Sequence, residues 1–343
     1  MDWASIKEDM ISAEQRMEEA GLCMRLGGSI SCRIDEESFF FAGGDLRDRP
    51  IEPDEIRRVR FRRAQGEAGI HAAIYRVRSD IHAVAFTRQC FGSALGVLNQ
   101  DRLAAEDASG SRVKILVVPF TMPGSDAQRS HVYRLASKDR AAGFLIAANH
   151  GAFAYGRDTE EMFASAISLE RFAKLFLKEI GNTTIPCQVV HGFDSERTGD
   201  GIRFFDPGTP GRVRQIHEQI YDRRPDVGYI VHNRSEAAVT VSRLNDQLFA
   251  LYDDFVELIG SGVPVPRNLQ GADGRDGIYV SDDVNASFCY DDGAFCYGRD
   301  ARAADLAARS LEKACIAQIA AARMDGANVL SRRDVRRLNR RKG

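Results

Sequence analysis

The sequence predicts an α/β protein made of two similar layered domains in tandem, each a sheet sandwiched by helices. Three observations carry that expectation. Residues 71–88 (HAAIYRVRSDIHAVAFTR) return without a gap at 217–234 (HEQIYDRRPDVGYIVHNR), an offset of 146. GAFAYGRD at 151–158 returns as GAFCYGRD at 293–300, an offset of 142. Near-equal offsets describe one domain-sized unit duplicated. Within each copy, short apolar runs alternate with helical patterns, the order of helices covering a sheet. With 343 residues, 44% hydrophobic and 28% charged, the chain can fill two ordinary cores.

The elements follow in order. Trp3, Ile6, Met10, Ala13 and Met17 recur at helical spacing over residues 2–20, with Gly21 as the stop. LGGSISCRIDEESFFFAGG (26–44) reads as a hairpin with a permissive glycine backbone at each end. A helix is expected from Glu67 to Arg78, then the apolar strand 83–86. VKILVVPF (113–120) reads as one buried strand. Pro123-Gly124 turns the chain into a helix near Ser125, and GFLIAAN (143–149) is a further strand ending at His150. Asp158 caps the next helix, with Glu161 as its capping-box partner. The buried stripe of that helix is Met162, Ala166, Leu169, Ala173 and Phe176.

The second copy is shorter at its front. It has room for strands such as CQVV (187–190) and GIRFF (201–205), but no leading helix and no Gly-Gly-Ser loop. It rejoins the pattern at 216 and closes with a helix at 301–322, where Ser310-Leu311-Glu312 repeats Ser168-Leu169-Glu170. GADGRDG (271–277) reads as an exposed loop. Residues 323–343 carry eight Arg or Lys against two Asp. Such a run is commonly a solvated or frayed end, with a polyanion-binding arm as the other reading. The expected boundaries are therefore 1–182, 183–322 and a basic tail at 323–343.

Composition narrows the function classes. A net charge of −2 gives no overall attraction to nucleic acid or anionic membrane, the basic tail apart. Seven scattered cysteines, odd in number and without a CxxC pair, argue against a disulfide frame or a zinc ribbon and for a reducing compartment. The acidic, amphipathic first residues do not read as a secretory signal, and no apolar run reaches the length of a membrane span. A cytoplasmic protein is expected.

The order of motifs resembles the class II aldolase/adducin family, which includes fuculose-phosphate aldolase and ribulose-phosphate 4-epimerase. The resemblance spans about residues 8–180. It runs through Gly28-Ser29-Ile30-Ser31, Gly43-Gly44, Glu67-x-x-x-His71, IYRVRSDIHAV, VPFTMPGS, AANHGAFAYGRD and the Ser-Leu-Glu helix. A weaker version spans about 187–322. The resemblance implies three-layer α/β/α domains on mostly antiparallel sheets. It implies an acid–base residue at Glu67 and an anion site at Ser29, Gly43 and Gly44. It also implies a metal held by a His-x-His pair and the histidine of an Asn-His-Gly turn. That metal would act as a Lewis acid on a developing enolate.

The sequence departs from the family at the metal. The His-x-His positions hold Phe86-Thr87-Arg88 in the first copy, where only His150 remains as a ligand. In the second they hold His232-Asn233-Arg234, and Asp292 stands at the third position. A phenylalanine cannot ligate, and a guanidinium is a permanent cation. No cofactor is therefore expected, with a divalent metal such as zinc as the disfavoured alternative. Arg88 and Arg234 read either as replacements for the metal charge, gripping an anion or enolate, or as salt-bridge partners of nearby acids. Glu67 reads as a proton shuttle or as a helix-terminal salt bridge; Val213 is its counterpart. His150 reads as a hydrogen-bond donor or as a packed histidine. His71 and His217 read mainly as structural. Gln65 and Gly66 stand where the family often has two serines, leaving Gln65 as a substrate-side candidate. His232, Arg234 and Asp292 are the substrate-binding candidates of the second copy.

Two functions are compatible with these residues. One is a lyase for a small anionic oxygenated carbonyl compound (aldol cleavage or condensation, decarboxylation, or dehydration), using Glu67, Arg88 and His150. The other is a catalytically silent pseudo-aldolase with a binding or scaffolding role. The resemblance also implies four-fold assemblies, so a fused pair should form a homodimer that mimics a tetramer.

Overall fold

The computed structural model describes the chain apart from residues 1–2, 24, 45, 48, 99–103, 107–111, 139–142, 181–184, 245, 267–277, 325 and 341–343; it describes the backbone alone at 104–106 and 112–114. The loop expected at 271–277 lies outside the described residues. The chain divides into two compact units, Met1–Ile180 and Gly181–Gly343.

The first unit runs α1 (Trp3–Glu19), β1 (Ser29–Arg33), β2 (Ser38–Gly43), β3 (Arg57–Arg60), α2 (Gly66–Val77), β4 (Ala83–Thr87), α3 (Cys90–Leu95), β5 (Ala104–Glu106), β6 (Arg112–Lys114), β7 (Val117–Val118), α4 (Asp126–Ala136), β8 (Phe144–Ala147), β9 (Gly151–Gly156) and α5 (Thr159–Glu179). Its seven-stranded sheet has the order β3-β2-β1-β4-β9-β8-β7. Every pairing in it is antiparallel except β7 with β8.

Strand alternation explains the Phe39-Phe40-Phe41 run, because β2 is buried on both faces. Phe39 and Phe41 join a core with Ile70, Ile74 and Tyr75 of α2 and Val132 and Ala136 of α4. Phe40 and Ala42 join the opposite core with Met10, Ala13 and Met17 of α1 and Met162 and Ala166 of α5. This is the expected three-layer arrangement.

The second unit runs β10 (Ser195–Thr198), β11 (Gly201–Phe204), α6 (Gly211–Arg223), β12 (Tyr229–Asn233), α7 (Glu236–Ser242), β13 (Gln247–Phe249), α8 (Asp253–Leu258), β14 (Gly262–Pro264), β15 (Ala286–Cys289), β16 (Gly293–Gly298), α9 (Ala301–Ala321) and α10 (Arg332–Asn339). Its five-stranded sheet, β11-β10-β12-β16-β15, is antiparallel throughout. Helix α9 is buried on nearly all sides and buries Lys313 as well as Leu311 and Ile316. Lys313 donates to both oxygens of the buried Asp254 of α8, at 2.8 and 2.9 Å.

Several expectations are corrected. Residues 113–120 are not one strand: β6 pairs with β5, and β7 separately joins β8. CQVV is not a strand; the first strand of this sheet is β10, eight residues further on, paired between β11 and β12. Phe176 is only half-buried, and Leu177 takes its place in the stripe of α5. The box partner of Asp158 differs too. Glu161 N donates to Asp158 Oδ1 at 2.8 Å, whereas the Glu161 carboxylate accepts from Arg157 N. The basic tail includes the helix α10, which seats Val335 and Leu338 in buried positions and is therefore not frayed there. Cys23, Cys32, Cys289, Cys296 and Cys315 are free thiols. Among the described residues no helix is long and apolar enough to cross a membrane.

Candidate active site

Glu67 enters the site through the start of α2. Gln65, exposed and extended at φ −131°, is the N-cap, but its side chain caps no amide. Gly66 follows at φ +56°, a conformation that the serine often found there in the family would adopt only with strain. Glu67 is half-buried. Its Oε1 accepts from Ser29 Oγ at 2.6 Å. Its Oε2 lies against the backbone of Gly44, where a Cβ would come within 2.4 Å of it. Gly44, at φ +95°, thus cannot be replaced without moving the carboxylate. Gly43, at φ +103°, pairs with Ser29 in the β1–β2 ladder, and a Cβ there would meet Gly28 O at 2.4 Å.

Ser29 is fully buried, which places its hydroxyl on protein groups rather than at the surface where an anion would be bound. It contacts Glu67 and His71 Nε2, the latter at 3.0 Å. His71 Nδ1 contacts Ser31 Oγ at 2.8 Å, and Ser31 contacts the Tyr75 hydroxyl at 2.9 Å. The chain of hydrogen bonds thus runs from the Glu67 carboxylate into the interior. Burial pushes His71 down to about 3, so its ring is neutral.

Arg88 follows directly on the last residue of the central strand β4. It is buried, donates from Nη1 to His150 O at 3.2 Å, and sits over the Phe86 ring at 5.4 Å. A Cβ on Gly27 would be 3.5 Å from Arg88 Nε and 3.6 Å from Gly44 O. The cation and the carboxylate therefore converge on one glycine loop. The His150 ring stacks on Phe86 with centroids 4.3 Å apart, in a turn where Asn149 takes φ +55°. Of the first-copy candidates, Glu67, Arg88, His150, Gly43 and Gly44 come together. Gln65 stands at the outer rim.

The second unit repeats the interior network but not the site. Ser195 Oγ contacts His217 Nδ1 at 2.6 Å and the Tyr221 hydroxyl at 3.0 Å, as Ser31 does with His71 and Tyr75. Arg197 donates to Tyr221 O as Arg33 donates to Tyr75 O. Two residues before Ser195, Phe193 stands where Ser29 would be. Its ring packs against the core that includes Val213, the counterpart of Glu67. His217 Nε2 consequently has no hydrogen-bond partner among the described residues. The loss of the acid and of the hydroxyl that anchors it go together. In the sequence this network shows as the recurrence of His71 with Tyr75 in His217 with Tyr221, and of Ser31-x-Arg33 in Ser195-x-Arg197.

His232, Arg234 and Asp292 do meet within the second unit. His232 Nε2 lies 2.9 Å from Asp292 O and 3.8 Å from Asp292 Oδ1; Arg234 Nε is 3.1 Å from the same carboxylate oxygen. Asp194 adds a bond from His232 N at 2.9 Å and a contact with His191 Nδ1 at 2.7 Å. The His232 ring stacks on Phe295 at 4.2 Å. Burial lowers the His232 basicity, against the opposing pull of Asp292.

Neither donor set fits the family's metal. In the first unit an aromatic ring and a guanidinium stand at two of the three ligand positions, packed on the third. In the second, the guanidinium is already bonded to the one carboxylate. Among the described residues no three His, Cys, Asp or Glu side chains are grouped to hold an ion.

No curated protein matches the chain. Three solved structures illustrate what it is similar to. YgbL from Klebsiella pneumoniae is 19% identical over 53% of this chain and 92% of its own, with a TM-score of 0.44. L-fuculose-1-phosphate aldolase from Thermus thermophilus is 19% identical over 51% of this chain and 94% of its own, at 0.43. A sugar-phosphate aldolase from Thermotoga maritima is 18% identical over 53% and 97%, at 0.41. The model of the class II aldolase and adducin N-terminal domain matches residues 8–177 and again 190–319. The chain therefore belongs to the class II aldolase/adducin family and carries the family's domain twice.

Proposed function

We propose that the first unit is a lyase acting on a small anionic oxygenated carbonyl compound, without the zinc usual in its family. The observation that carries this reading is Glu67, held by Ser29 and by the Gly44 backbone at the loop that also faces Arg88. In an aldol cleavage, the Glu67 carboxylate takes the proton of the β-hydroxyl as the carbon–carbon bond breaks. The electron pair passes to the carbonyl oxygen, where the Arg88 guanidinium stabilises the enolate. Glu67 then returns the same proton to the enolate carbon, so no outside reactant is needed. Decarboxylation and dehydration pass through similar enolates. The backbone at Gly43 and the side chain of Gln65 remain for the substrate's anionic group, since the Gly44 amide donates to Gly28 O at 3.0 Å, and His150 assists beside Arg88.

The second reading, a catalytically silent binding protein, is favoured by Phe193 and Val213, which fill the corresponding place in the second unit. Turnover of a panel of phosphorylated and carboxylated aldol substrates separates the two. The lyase reading expects Glu67→Gln and Arg88→Gln each to lower kcat by about a hundredfold or more while leaving the fold intact. Wild-type rates in both variants would contradict it, and an inert wild type would support the silent reading. We also propose a homodimer mimicking the family's four-fold rings. Light scattering at micromolar concentration should give twice the 38.0 kDa chain mass, and a monomer would count against it.

A further inference from the structure

We propose that a basic groove on the open edge of the first unit's sheet binds the polyphosphate-type tail of the substrate handled at Glu67. This deepens the lyase reading by naming a substrate class. The groove has a volume of about 420 Å³, and its walls include Arg57, Arg58, Arg60, Arg63, Gln65 and Ala68. It exists because β3 is the last strand of its sheet. Arg57 pairs with Phe41 on the α2 face, while Arg58 and Arg60 pair with Phe40 and Ser38 on the other. A single 3-10 turn at Phe61–Arg63 then carries Arg63 back toward the groove before the chain enters α2.

The charges there are poorly cancelled. The Arg57 guanidinium lies over the Phe41 ring at 5.3 Å, not on an acid. Arg58 lies over Trp3 at 4.9 Å and bonds Asp35 at 3.0 Å. Among the described residues no carboxylate pairs with Arg57, Arg60 or Arg63. Edge strands carry charge to block unwanted pairing. That role asks for charge along the strand; here Arg57, Arg60 and Arg63, none of them paired with a carboxylate among the described residues, also line one cavity.

The geometry selects the ligand. Arg57 to Arg60 spans about 10 Å of extended chain, and guanidinium forks match phosphate oxygens. A single carboxylate would leave most of this charge unanswered, whereas a di- or triphosphate spreads several charges over such a length. The lining also includes Gln65, the N-cap of α2, and Ala68 in its first turn, the two residues that flank the Glu67 region in sequence. The dipole and amides of that turn favour an anion, and the Gln65 side chain leaves them uncapped.

Calorimetric titration of the full chain with inorganic tripolyphosphate at low ionic strength tests this. The expected result is saturable binding that weakens at least about tenfold in R60E/R63E, the loss of charge-assisted contacts. Arg60→Gln with Arg63→Gln should weaken it too, and keeps the test sound if charge reversal disturbs β3. E67Q should bind as wild type does, so the groove stands or falls separately from the Glu67 chemistry. R332E/R333E, an exposed pair on α10, should also bind normally. Equal affinity in wild type and both Arg60/Arg63 variants would overturn the proposal. So would an equal loss in R332E/R333E, or tighter binding of a single-stranded RNA of matched charge.

Discussion

Ser29 sits between a carboxylate and a neutral imidazole, and that position decides what the site can do. A buried hydroxyl with two protein partners fixes the Glu67 rotamer, whereas an exposed one would serve an anion. The Gly44 backbone closes the other side of the carboxylate. Gly44→Ala would force a Cβ into a left-handed conformation, costing about 1–2 kcal/mol, and into the space of Glu67 Oε2. Turnover should fall by more than tenfold in this variant, with only a modest drop in Tm. Full turnover in Gly44→Ala would mean that the loop does not hold the carboxylate. Glu67, Arg88 and His150 were legible in the sequence because the flanking motifs fix their registers. The role of Ser29 was not, because hydroxyl direction is a tertiary property. Phe193 was missed for a similar reason: its match to Ser29 emerges only when Ser195 and Ser31 are seen bonding equivalent histidines.

At the scale of elements, the duplicated helix α2/α6 carries one buried histidine per copy, each pushed by burial down to about 3. An unfolded histidine titrates near 6.5. Each folded ring therefore resists a proton that the unfolded chain accepts. This contribution is intact above about pH 6.5 and is lost as pH falls toward 3, by about 1.4 kcal/mol per histidine per pH unit. Glu312 opposes it. Burial raises that carboxyl to about 7, so its stabilising protonated form is lost as pH rises from about 4.5 toward 7. Glu14 and Glu170, whose carboxyls burial also raises, act with Glu312, and His232, whose basicity burial lowers, acts with the two histidines. Replacing His71 and His217 by Gln should make the slope of Tm against pH between 5 and 6.5 less positive, whereas an unchanged slope would show that these rings do not set it. The repeated Ser-Leu-Glu also gains a physical reason. Glu170 accepts from Phe91 N and Gly92 N at the start of α3, and Glu312 accepts from Asn233 and Ser235 at the start of α7. Helical stripes and caps were readable because they are local. The break within 113–120 and the start of the second sheet at β10 were not, since apolar runs fix neither length nor pairing partner.

Across the whole molecule, the two units share one scaffold but not one set of polar groups. Both units keep the Ser-His-Tyr interior, the Asp caps before α5 and α9, and the antiparallel centre of the sheet. The first keeps an acid and a cation on a glycine loop; the second puts Phe193 and Val213 there and neutralises its remaining polar groups against one another. The repeat itself made the two-domain plan legible from sequence. On the lyase reading, Glu67 and Arg88 do the chemistry with no metal between them. The most direct test is turnover of exhaustively chelated protein, with metal content checked by elemental analysis, in wild type and Glu67→Gln. The expected result is an undiminished rate in metal-free wild type and its loss in Glu67→Gln. Activity that disappears on chelation and returns with zinc would contradict it.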